Sequence, residues 1–430
     1  MKNIFFKIFK PINPIDFDGR RIFKHNLFKK IKYTYTDTNY EKIYNGWLLG
    51  RLMIILKEFI IIGLMILYSP LIFLCHMTKY RFLHINSWQI GAYIQTLDTI
   101  VKSNLLENKK YKIIYIYQKF LKSNSFFSDF YKQHLIIIEN FLLYILSYPL
   151  VVSRFTSINN WKYETINPQS EFNQVHSKFN EKYGSFILAD DNNLFSEKYF
   201  LKLCDELKIS KEKKIICIHQ KDDKFYDGSL SRGSKIQYLK KSIDYLLNNN
   251  YFVIRFTSKV SQKMEFDNKS YLEISILSEQ DKINQYIILK KSILVICHQG
   301  GIHSYNQVLN VPFLQINSIP ININPVIKKK DMVILKKFFS KKTNSQMNLR
   351  QIMENNLHLY TDIRTLKEKE VELVDNDEEE IFNAMIDILK KKENSLSNKF
   401  KSYFSDEVSF KYSESQVSPS FLEKNNYLIN

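Results

Sequence analysis

Residues 292–318 contain the one Gly-Gly pair of the chain, Gly300 and Gly301, between two apolar runs. The first run covers 293–297 and the second 313–316, and apolar residues recur between them at spacings of three and four. This order predicts a strand, a glycine turn, a short helix and a second strand, the repeating unit of a parallel sheet. A glycine turn at a helix N-terminus lets backbone N–H groups face a phosphate. The alternative is a tight turn that only packs a helix on a sheet.

Basic side chains at other predicted strand ends have suitable chemistry for a diphosphate. Arg255 ends an apolar run, and its guanidinium fork matches phosphate oxygens, although an ion pair that steadies the strand end is the alternative. Arg232 is a second phosphate candidate, or else a solvated loop residue. His219 and His298 each end a predicted strand, where they would touch a ligand or be satisfied at the sheet edge. Open parallel sheets bind ligands at this carboxyl edge.

Two more residues are candidates for contact with the same ligand, and three carboxylates are candidates for a catalytic base. Lys336 would reach a phosphate or lie on a helix face, and Asn317 would bind ribose or sugar hydroxyls or merely stop a strand. Asp98, Asp190 and Asp222 are the carboxylates that could deprotonate an acceptor hydroxyl. We assign Asp222, together with Arg255, as the catalytic candidates.

Composition limits the class of protein. The chain has 430 residues and a formal charge of +18, but only nine of its 62 basic residues are arginine. No arginine and aromatic stripe or zinc-finger spacing accompanies the charge, so we predict no nucleic-acid partner. An anionic membrane surface or a phosphorylated substrate fits the charge better.

Cysteine usage and acidic motifs give no sign of a metal centre. The four cysteines lie far apart without a CxxC pair, which suits core residues in a reducing compartment. The string Asp375-Asn376-Asp377 precedes a helical pattern, and a helix cap explains it better than a metal-nucleotide site. We therefore predict no metal and no cofactor.

The chain divides into four predicted parts. Residues 1–80 form a basic N-terminal segment with a hydrophobic membrane-associating helix, because 59–75 contains no charged residue and is broken by Ser-Pro. We expect this segment to be a helix or helical hairpin that dips into one leaflet and leaves both ends in the cytoplasm; a buried helix is the alternative. Residues 81–200 are predicted as an N-terminal α/β domain, 201–392 as a second α/β domain, and 393–430 as a polar tail over the surface.

The second half shows strands alternating with helices at a regular pace. Strands are predicted at 214–219, 251–255 and 292–297, and a closing helix at 377–392 has acids at its start and lysines at its end. This pattern predicts a doubly wound, mostly parallel sheet.

The order of signals over about 210–390 resembles a family of bacterial glycosyltransferases from surface-polysaccharide and lipopolysaccharide loci. The matching pieces are listed in chain order: His219, Asp222, Arg232, Ser234, Tyr238, Ile243, Leu246, Arg255, the glycine turn, Pro312, Asn317, Asp331, Lys336 and 375–381. The resemblance implies two facing Rossmann-like domains of the GT-B type, distantly like fucosyl- and heptosyltransferases. The C-terminal domain would hold a nucleotide-sugar donor and the N-terminal one the acceptor, without a metal.

The chain also departs from the family pattern. Gln220 stands where relatives often have arginine, and Gly300 occupies the position of a serine. On the acceptor side, Gly91 is kept, but the arginine and histidine that relatives carry in this segment are missing.

The expected function is therefore metal-independent transfer of a hexosyl or deoxyhexosyl group to a glycan or lipid-linked acceptor at the cytoplasmic face of the membrane. The alternative is a catalytically decayed relative that binds nucleotide sugar or glycan as a scaffold.

Overall fold

The structure, a computed structural model, describes residues 59–83, 90–117, 125–153, 155–156, 168–185, 187, 197–219, 233–257, 262–319, 321, 326–359, 363–404 and 408–429. They belong to two compact units, the first within 1–88 and 104–166 and the second within 89–103 and 167–430. This division differs from the boundary expected near residue 200. The helix Pro168–Tyr183 packs on the 3₁₀ turn Ser409–Tyr412, so it belongs to the second unit.

The strands of the described residues form a mixed α/β architecture with parallel main sheets. They are β1 (Tyr80–Leu83), β2 (Lys112–Tyr117), β3 (Ile136–Glu139), β4 (Lys214–His219), β5 (Tyr251–Thr257), β6 (Tyr271–Ser275), β7 (Leu294–His298), β8 (Phe313–Ser318), β9 (Met332–Leu335), β10 (Lys337–Ser340), β11 (Ser345–Gln346), β12 (Val371–Val374) and β13 (Gln416–Val417).

The α-helices of the described residues alternate with these strands. They are α1 (Phe59–Leu67), α2 (Ser69–Met77), α3 (Ile90–Leu106), α4 (Phe141–Leu146), α5 (Tyr148–Val152), α6 (Pro168–Tyr183), α7 (Glu197–Leu207), α8 (Lys240–Asn248), α9 (Glu279–Lys291), α10 (Leu349–Glu354), α11 (Ile363–Glu368), α12 (Glu378–Leu389), α13 (Leu396–Ser402) and α14 (Pro419–Lys424).

The first unit is built on a three-stranded parallel sheet in the order β1-β2-β3. One face of this sheet, which includes Phe82 and Ile116, packs with Ile72 and Cys75 of α2 and Leu150 of α5. Alternation of side chains along each strand places Phe82, Ile114 and Ile116 on this same face.

The segment predicted to associate with a membrane forms two helices. Within the described residues, no single helix is long and apolar enough to cross a bilayer. Helices α1 and α2 reach that length and apolarity only together, and they meet at a bend of 62°. Pro70 lies in the first turn of α2, where its missing N–H removes no helical hydrogen bond, so the Ser-Pro step separates the two helices.

The second unit contains a seven-stranded sheet in the order β6-β5-β4-β7-β8-β9-β13, and every neighbouring pair is parallel. Its central strands are buried along nearly their whole length, because helices cover both faces of a doubly wound sheet. Helix α8 packs on β5, and α12 packs on α8, β8 and β9. The prediction of a parallel sheet in this half is confirmed. A small antiparallel sheet, β11-β10-β12, follows β9.

The polar tail predicted at 393–430 is instead an ordered part of the second unit. Strand β13 pairs with β9, and three phenylalanines (Phe400, Phe404 and Phe410) pack edge to face against one another. The carboxylate of Asp387 in α12 accepts hydrogen bonds from the hydroxyls of Ser418 and Ser420 at the start of α14. The tail prediction was wrong because these few aromatic residues are spread among serines and lysines, which dominate the composition.

Candidate functional site

The order of the seven strands creates a crevice between β4 and β7. From β4 the chain proceeds outward through β5 and β6, and it then returns to the other side of β4 with β7, β8 and β9. Such a reversal of strand order is the place where open α/β sheets bind ligands, at the carboxyl ends of the strands. His219 and His298 are the last residues of the two strands that flank it. His219 is partly exposed, and His298 is fully buried.

His298 is held from the other side by the segment that leads into α8. Its Nε2 atom lies 3.1 Å from the hydroxyl of Ser234. The next residue, Gln299, accepts a hydrogen bond of 3.0 Å from the N–H of Ile319, just after β8. The turn after β7 is therefore fixed to the carboxyl end of the neighbouring strand.

The glycine turn differs from its predicted form. The segment after it, Ile302–Gln307, is a fully buried 3₁₀ turn, and so short an element has little of the dipole of a long helix. The Gly300 N–H donates to Nδ1 of His303 at 2.9 Å, so it does not face outward as a phosphate donor. Gly301 has φ −57° and ψ −42°, which any residue adopts. These positions fit the alternative of a packing turn better than a phosphate cradle.

Asn317 is locked to the loop before α12 by a reciprocal pair of hydrogen bonds. Its N–H donates to Oδ1 of Asn376 and the N–H of Asn376 donates to its Oδ1, both at 2.7 Å. The backbone of Asn317 is left-handed, with φ 49°, which asparagine tolerates better than most residues. The side chain is 1% exposed, and its Nδ2 has no hydrogen-bond partner in the described structure. A buried donor without a partner costs about 1–3 kcal/mol, so this atom suggests a place for a ligand acceptor.

Lys336 lies just after β9 and is almost fully buried. Its ammonium donates to the carbonyl oxygen of Gly233 at 2.7 Å and forms an ion pair of 2.6 Å with Asp375. The lysine is thus neither on a helix face nor an isolated cation. It ties the segment before α8 to the loop before α12.

These contacts form one connected group, which we call the carboxyl-edge arc. It runs across the ends of β7, β8 and β9, and its members are His298, Ser234, Gly233, Lys336, Asp375, Asn376 and Asn317. Of the predicted donor-binding residues, the structure brings His298, Lys336 and Asn317 into this arc. His219 lies at the end of β4, beside β7.

Arg255 does not belong to this group. Its side chain is 1% exposed, and it donates to the Glu273 carboxylate on β6 at 2.5 Å and to the carbonyl oxygen of Gln262 at 2.9 Å. Glu273 also accepts from the Tyr271 hydroxyl, and burial together with this carboxylate raises the pKa of Tyr271. The geometry corresponds to the ion-pair alternative, because Arg255 is directed toward the outer strand β6 and away from the crevice.

All three residues of the DxD string Asp375-Asn376-Asp377 make contacts that hold the fold together. Asp377 is the N-cap of α12 and forms a capping box with Glu380, which confirms the predicted helix cap. Asp375 is paired with Lys336, and Asn376 holds Asn317.

A second buried network lies at the opposite edge of the sheet, where β8 and β9 begin. Asp331 accepts hydrogen bonds from the N–H of Phe313 (2.9 Å), the N–H of Lys328 (2.7 Å) and Nδ2 of Asn306 (2.8 Å). Burial raises the pKa of Asp331 and lowers that of Lys328 to about 8. The Lys328 ammonium donates to the carbonyl oxygen of Asn306 at 2.7 Å. These bonds fix the start of β8, so the role of Asp331 is structural.

Of the three carboxylates proposed as a catalytic base, the structure describes Asp98. Asp222, Asp190 and the phosphate candidate Arg232 lie outside the described residues. Asp98 is fully buried in α3 and forms an ion pair of 2.6 Å with Lys102, whose pKa is lowered by burial. It therefore has no access to an acceptor hydroxyl.

Gly91 lies in the first turn of α3. The sequence did not signal the other partner of Lys102, His176 of α6, whose Nδ1 lies 3.1 Å from the ammonium.

The four cysteines are free and buried, as predicted for core residues. Burial raises the pKa of the Cys217 and Cys297 thiols, which keeps them protonated and unreactive.

Comparison with known proteins gives little further support. No protein-family model and no curated protein matches the chain. Among solved structures, it is similar to E. coli ADP-heptose lipopolysaccharide heptosyltransferase II, with 11% identity and a TM-score of 0.39 over 59% of this chain and 90% of that one.

A glycosyl transferase family 9 protein from Veillonella parvula gives 10% identity and a TM-score of 0.39 over 73% and 98% of the two chains. For E. coli heptosyltransferase WaaC with ADP, the identity is 10% and the TM-score 0.35, over 67% of this chain and 99% of that one.

Proposed function

We propose that the protein is a glycosyltransferase whose second unit binds a nucleotide-sugar donor at the carboxyl edge of its seven-stranded sheet. The acceptor is a hydroxyl of a glycan or lipid-linked saccharide in surface-polysaccharide synthesis, as the sequence resemblance implies. The observation that carries the proposal is the buried Nδ2 of Asn317, a donor left without a partner in the described structure, within the arc across β7, β8 and β9. Three residues predicted to contact the donor meet in this arc.

The proposed reaction places specific demands on this edge. The acceptor oxygen attacks the anomeric carbon, the bond from that carbon to the diphosphate oxygen breaks, and the leaving diphosphate takes the electron pair. The proton of the acceptor passes to a base, for which Asp222 stays the candidate. Negative charge grows on the leaving group, so N–H donors placed there stabilise the transition state. Asn317 Nδ2 and the imidazoles of His219 and His298 are the donors that we assign to it.

Arg255 and Gly300 are removed from this assignment. The guanidinium of Arg255 is paired with Glu273, and the Gly300 N–H is paired with His303. If either donor turned to a phosphate, its present acceptor, the Glu273 carboxylate or His303 Nδ1, would lose its partner. Arg232 stays a candidate for the positive charge.

We also propose that the transfer needs no metal. The acidic residues of the DxD string at 375–377 are used by Lys336 and by the cap of α12. Transfer that continues in EDTA supports this part of the proposal, and transfer abolished by EDTA and restored by Mg²⁺ or Mn²⁺ overturns it.

The test is the change in melting temperature on adding UDP, GDP, ADP or CMP to the purified chain. A nucleotide at about 100 times its Kd should stabilise the fold by about 2.7 kcal/mol, and at least one of the four should do so. Asn317→Asp keeps the oxygen that accepts from Asn376 but removes the Nδ2 donor and adds negative charge. We expect it to abolish the shift.

Asn376→Asp is the matched control, because it changes the other side of the same lock. It removes the bond of 2.8 Å from Asn376 Nδ2 to the carbonyl oxygen of Leu335. This variant should melt at a lower temperature without ligand and still show the nucleotide shift. A shift that survives in Asn317→Asp, or no shift with any nucleotide, contradicts the proposal.

A binding protein without transfer activity is the second candidate, favoured by the internal pairing of Arg255 and Gly300. Release of nucleoside diphosphate from a donor sugar separates the two. Nucleotide binding with no release, hydrolysis or transfer from any donor would favour the scaffold.

A further inference from the structure

The first unit exposes a large set of apolar side chains on three helices. We define the apolar face by the following residues, each at least 36% exposed: Phe59, Ile60, Leu64, Ile66, Leu67, Leu71, Phe73, Leu74 and Met77 of α1 and α2, and Leu142, Leu143, Ile145 and Leu146 of α4. Soluble monomers rarely expose contiguous apolar patches of this kind without a partner.

The same helices are apolar on their inner side as well. Ile61 and Met65 of α1 are buried against Tyr148, and Ile72 and Cys75 of α2 are buried against the three-stranded sheet. Tyr144 of α4 packs on the same cluster as α2. A helix that is apolar all round belongs in a core or in a membrane. Here the inner side is in the core, so the outer side requires another apolar environment.

Helix α4 is distant in sequence from α1 and α2, but its region packs on both of them. Tyr144 of α4 packs on the cluster of α2, and Tyr148, at the start of α5, packs on α1. The stretches 59–78 and 140–153 contain no Asp, Glu, Lys or Arg. The two stretches therefore pack together and share an uncharged outer surface, although only the first was predicted to associate with a membrane.

Cationic and aromatic residues lie at the end of α2 and the start of the adjacent strands. Lys79 and Lys112 are exposed, and Arg81 is partly exposed. The Lys112 ammonium lies 5.2 Å from the centre of the Tyr80 ring, and Arg81 lies 4.4 Å from that of Tyr111. None of these three cations forms an ion pair with a carboxylate in the described part of the chain. Tyrosines beside lysine and arginine are typical of the boundary between lipid headgroups and acyl chains.

We propose that the apolar face docks in the plane of an anionic lipid bilayer, with Lys79, Arg81 and Lys112 at its headgroups. Both α1 and α2 are anchored on the protein along their inner sides, so they lie on one leaflet and do not cross it. A second copy of the chain fits this face less well, because a two-fold contact brings each cationic border near its own copy. The proposal concerns only the first unit and does not rest on transferase activity.

The test places an environment-sensitive nitrobenzoxadiazole dye on the face of the full-length chain. Leu142→Cys, at a position 61% exposed, is compared with Leu277→Cys, 66% exposed in the second unit. The four native cysteines are buried and react slowly, so the dye attaches to the introduced thiol. With vesicles of phosphatidylcholine and phosphatidylserine, dye emission should rise and shift to the blue at position 142 and stay unchanged at 277.

Binding variants test the same surface without a label. Leu142→Glu should weaken binding to these vesicles, measured by sedimentation, by at least about tenfold, because a charged side chain replaces a leucine that would be buried among the acyl chains. Leu277→Glu is the matched control and should bind as the unaltered chain does. Lys112→Glu should reduce the preference for phosphatidylserine over pure phosphatidylcholine, because Lys79 and Arg81 remain, whereas Lys208→Glu, exposed in the second unit, should leave it unchanged.

Equal loss in Leu142→Glu and Leu277→Glu overturns the proposal. So does a dye at 142 that does not respond to vesicles. Dimers in sedimentation velocity that Leu142→Glu dissociates would show that a second copy covers the face instead.

Discussion

The two units differ in what they bury and what they expose. The second unit buries polar and charged side chains at the carboxyl ends of its strands and pairs them closely, as in Lys336–Asp375 and Asn317–Asn376. At the corresponding strand ends, the described part of the first unit pairs Tyr117 with Glu139, which is exposed. This unit also exposes leucine and isoleucine side chains on α1, α2 and α4. Buried polar pairs cost desolvation energy, whereas exposed apolar groups lose the gain of burial. Each unit therefore has a feature that costs stability, and we assign each feature to binding: the buried polar pairs of the second unit to a nucleotide sugar, and the exposed apolar side chains of the first unit to a membrane.

Among the variants considered, the largest loss of stability is expected from breaking the buried ion pair between Arg255 and Glu273 in the second unit. Glu273→Ala leaves the guanidinium of Arg255, 1% exposed, without its carboxylate. We expect the free energy of unfolding to fall by about 3–5 kcal/mol, as for other broken buried pairs. Urea denaturation followed by circular dichroism measures the change.

The exposed pair Lys341–Glu372 is the matched control, because its side chains are 54% and 55% exposed. Glu372→Ala should change the free energy of unfolding by at most about 1 kcal/mol. If both variants lose the same small amount, Arg255 is not held by Glu273, and its assignment to the donor site becomes open again.

A smaller effect is expected from the pH dependence of the buried Lys328. Burial lowers its pKa to about 8 in the folded chain from 10.5 in an exposed one. Between these values the unfolded chain binds more protons than the folded chain, so stability from this group rises as pH rises through the window. As pH rises through this window, the free energy of unfolding of the unaltered chain should increase relative to that of Lys328→Met, by up to about 1.4 kcal/mol per pH unit. A stability difference that stays flat across this window contradicts the assignment.

The second sheet was predictable because its signal is local. Short apolar runs, such as IICI at 215–218, alternate with helical patterns, and the observed strands fall where these runs lie. The helix cap at Asp377 was also readable, because capping depends on residues three apart.

The details of the site were not predictable, because they depend on pairs far apart in sequence. Asn317 meets Asn376, and Lys336 meets the carbonyl of Gly233. No periodicity reports such contacts. Arg255 has the chemistry of a phosphate ligand, and only its neighbour across the β5–β6 register, Glu273, shows that it is already paired. Of the apolar face, only the part at 59–75 was predicted to meet a membrane, because the uncharged stretch at 140–153 is shorter and lies within the predicted α/β domain.

Hydrogen exchange measured by mass spectrometry tests the division of roles most directly. Addition of the nucleotide that gives the melting shift should slow exchange in peptides covering 294–301 and 313–319 and leave 69–83 and 141–153 unchanged. Phosphatidylserine vesicles should do the reverse. Nucleotide protection in the first unit, or none at the ends of β7 and β8, would contradict the assignment of the carboxyl edge as the donor site.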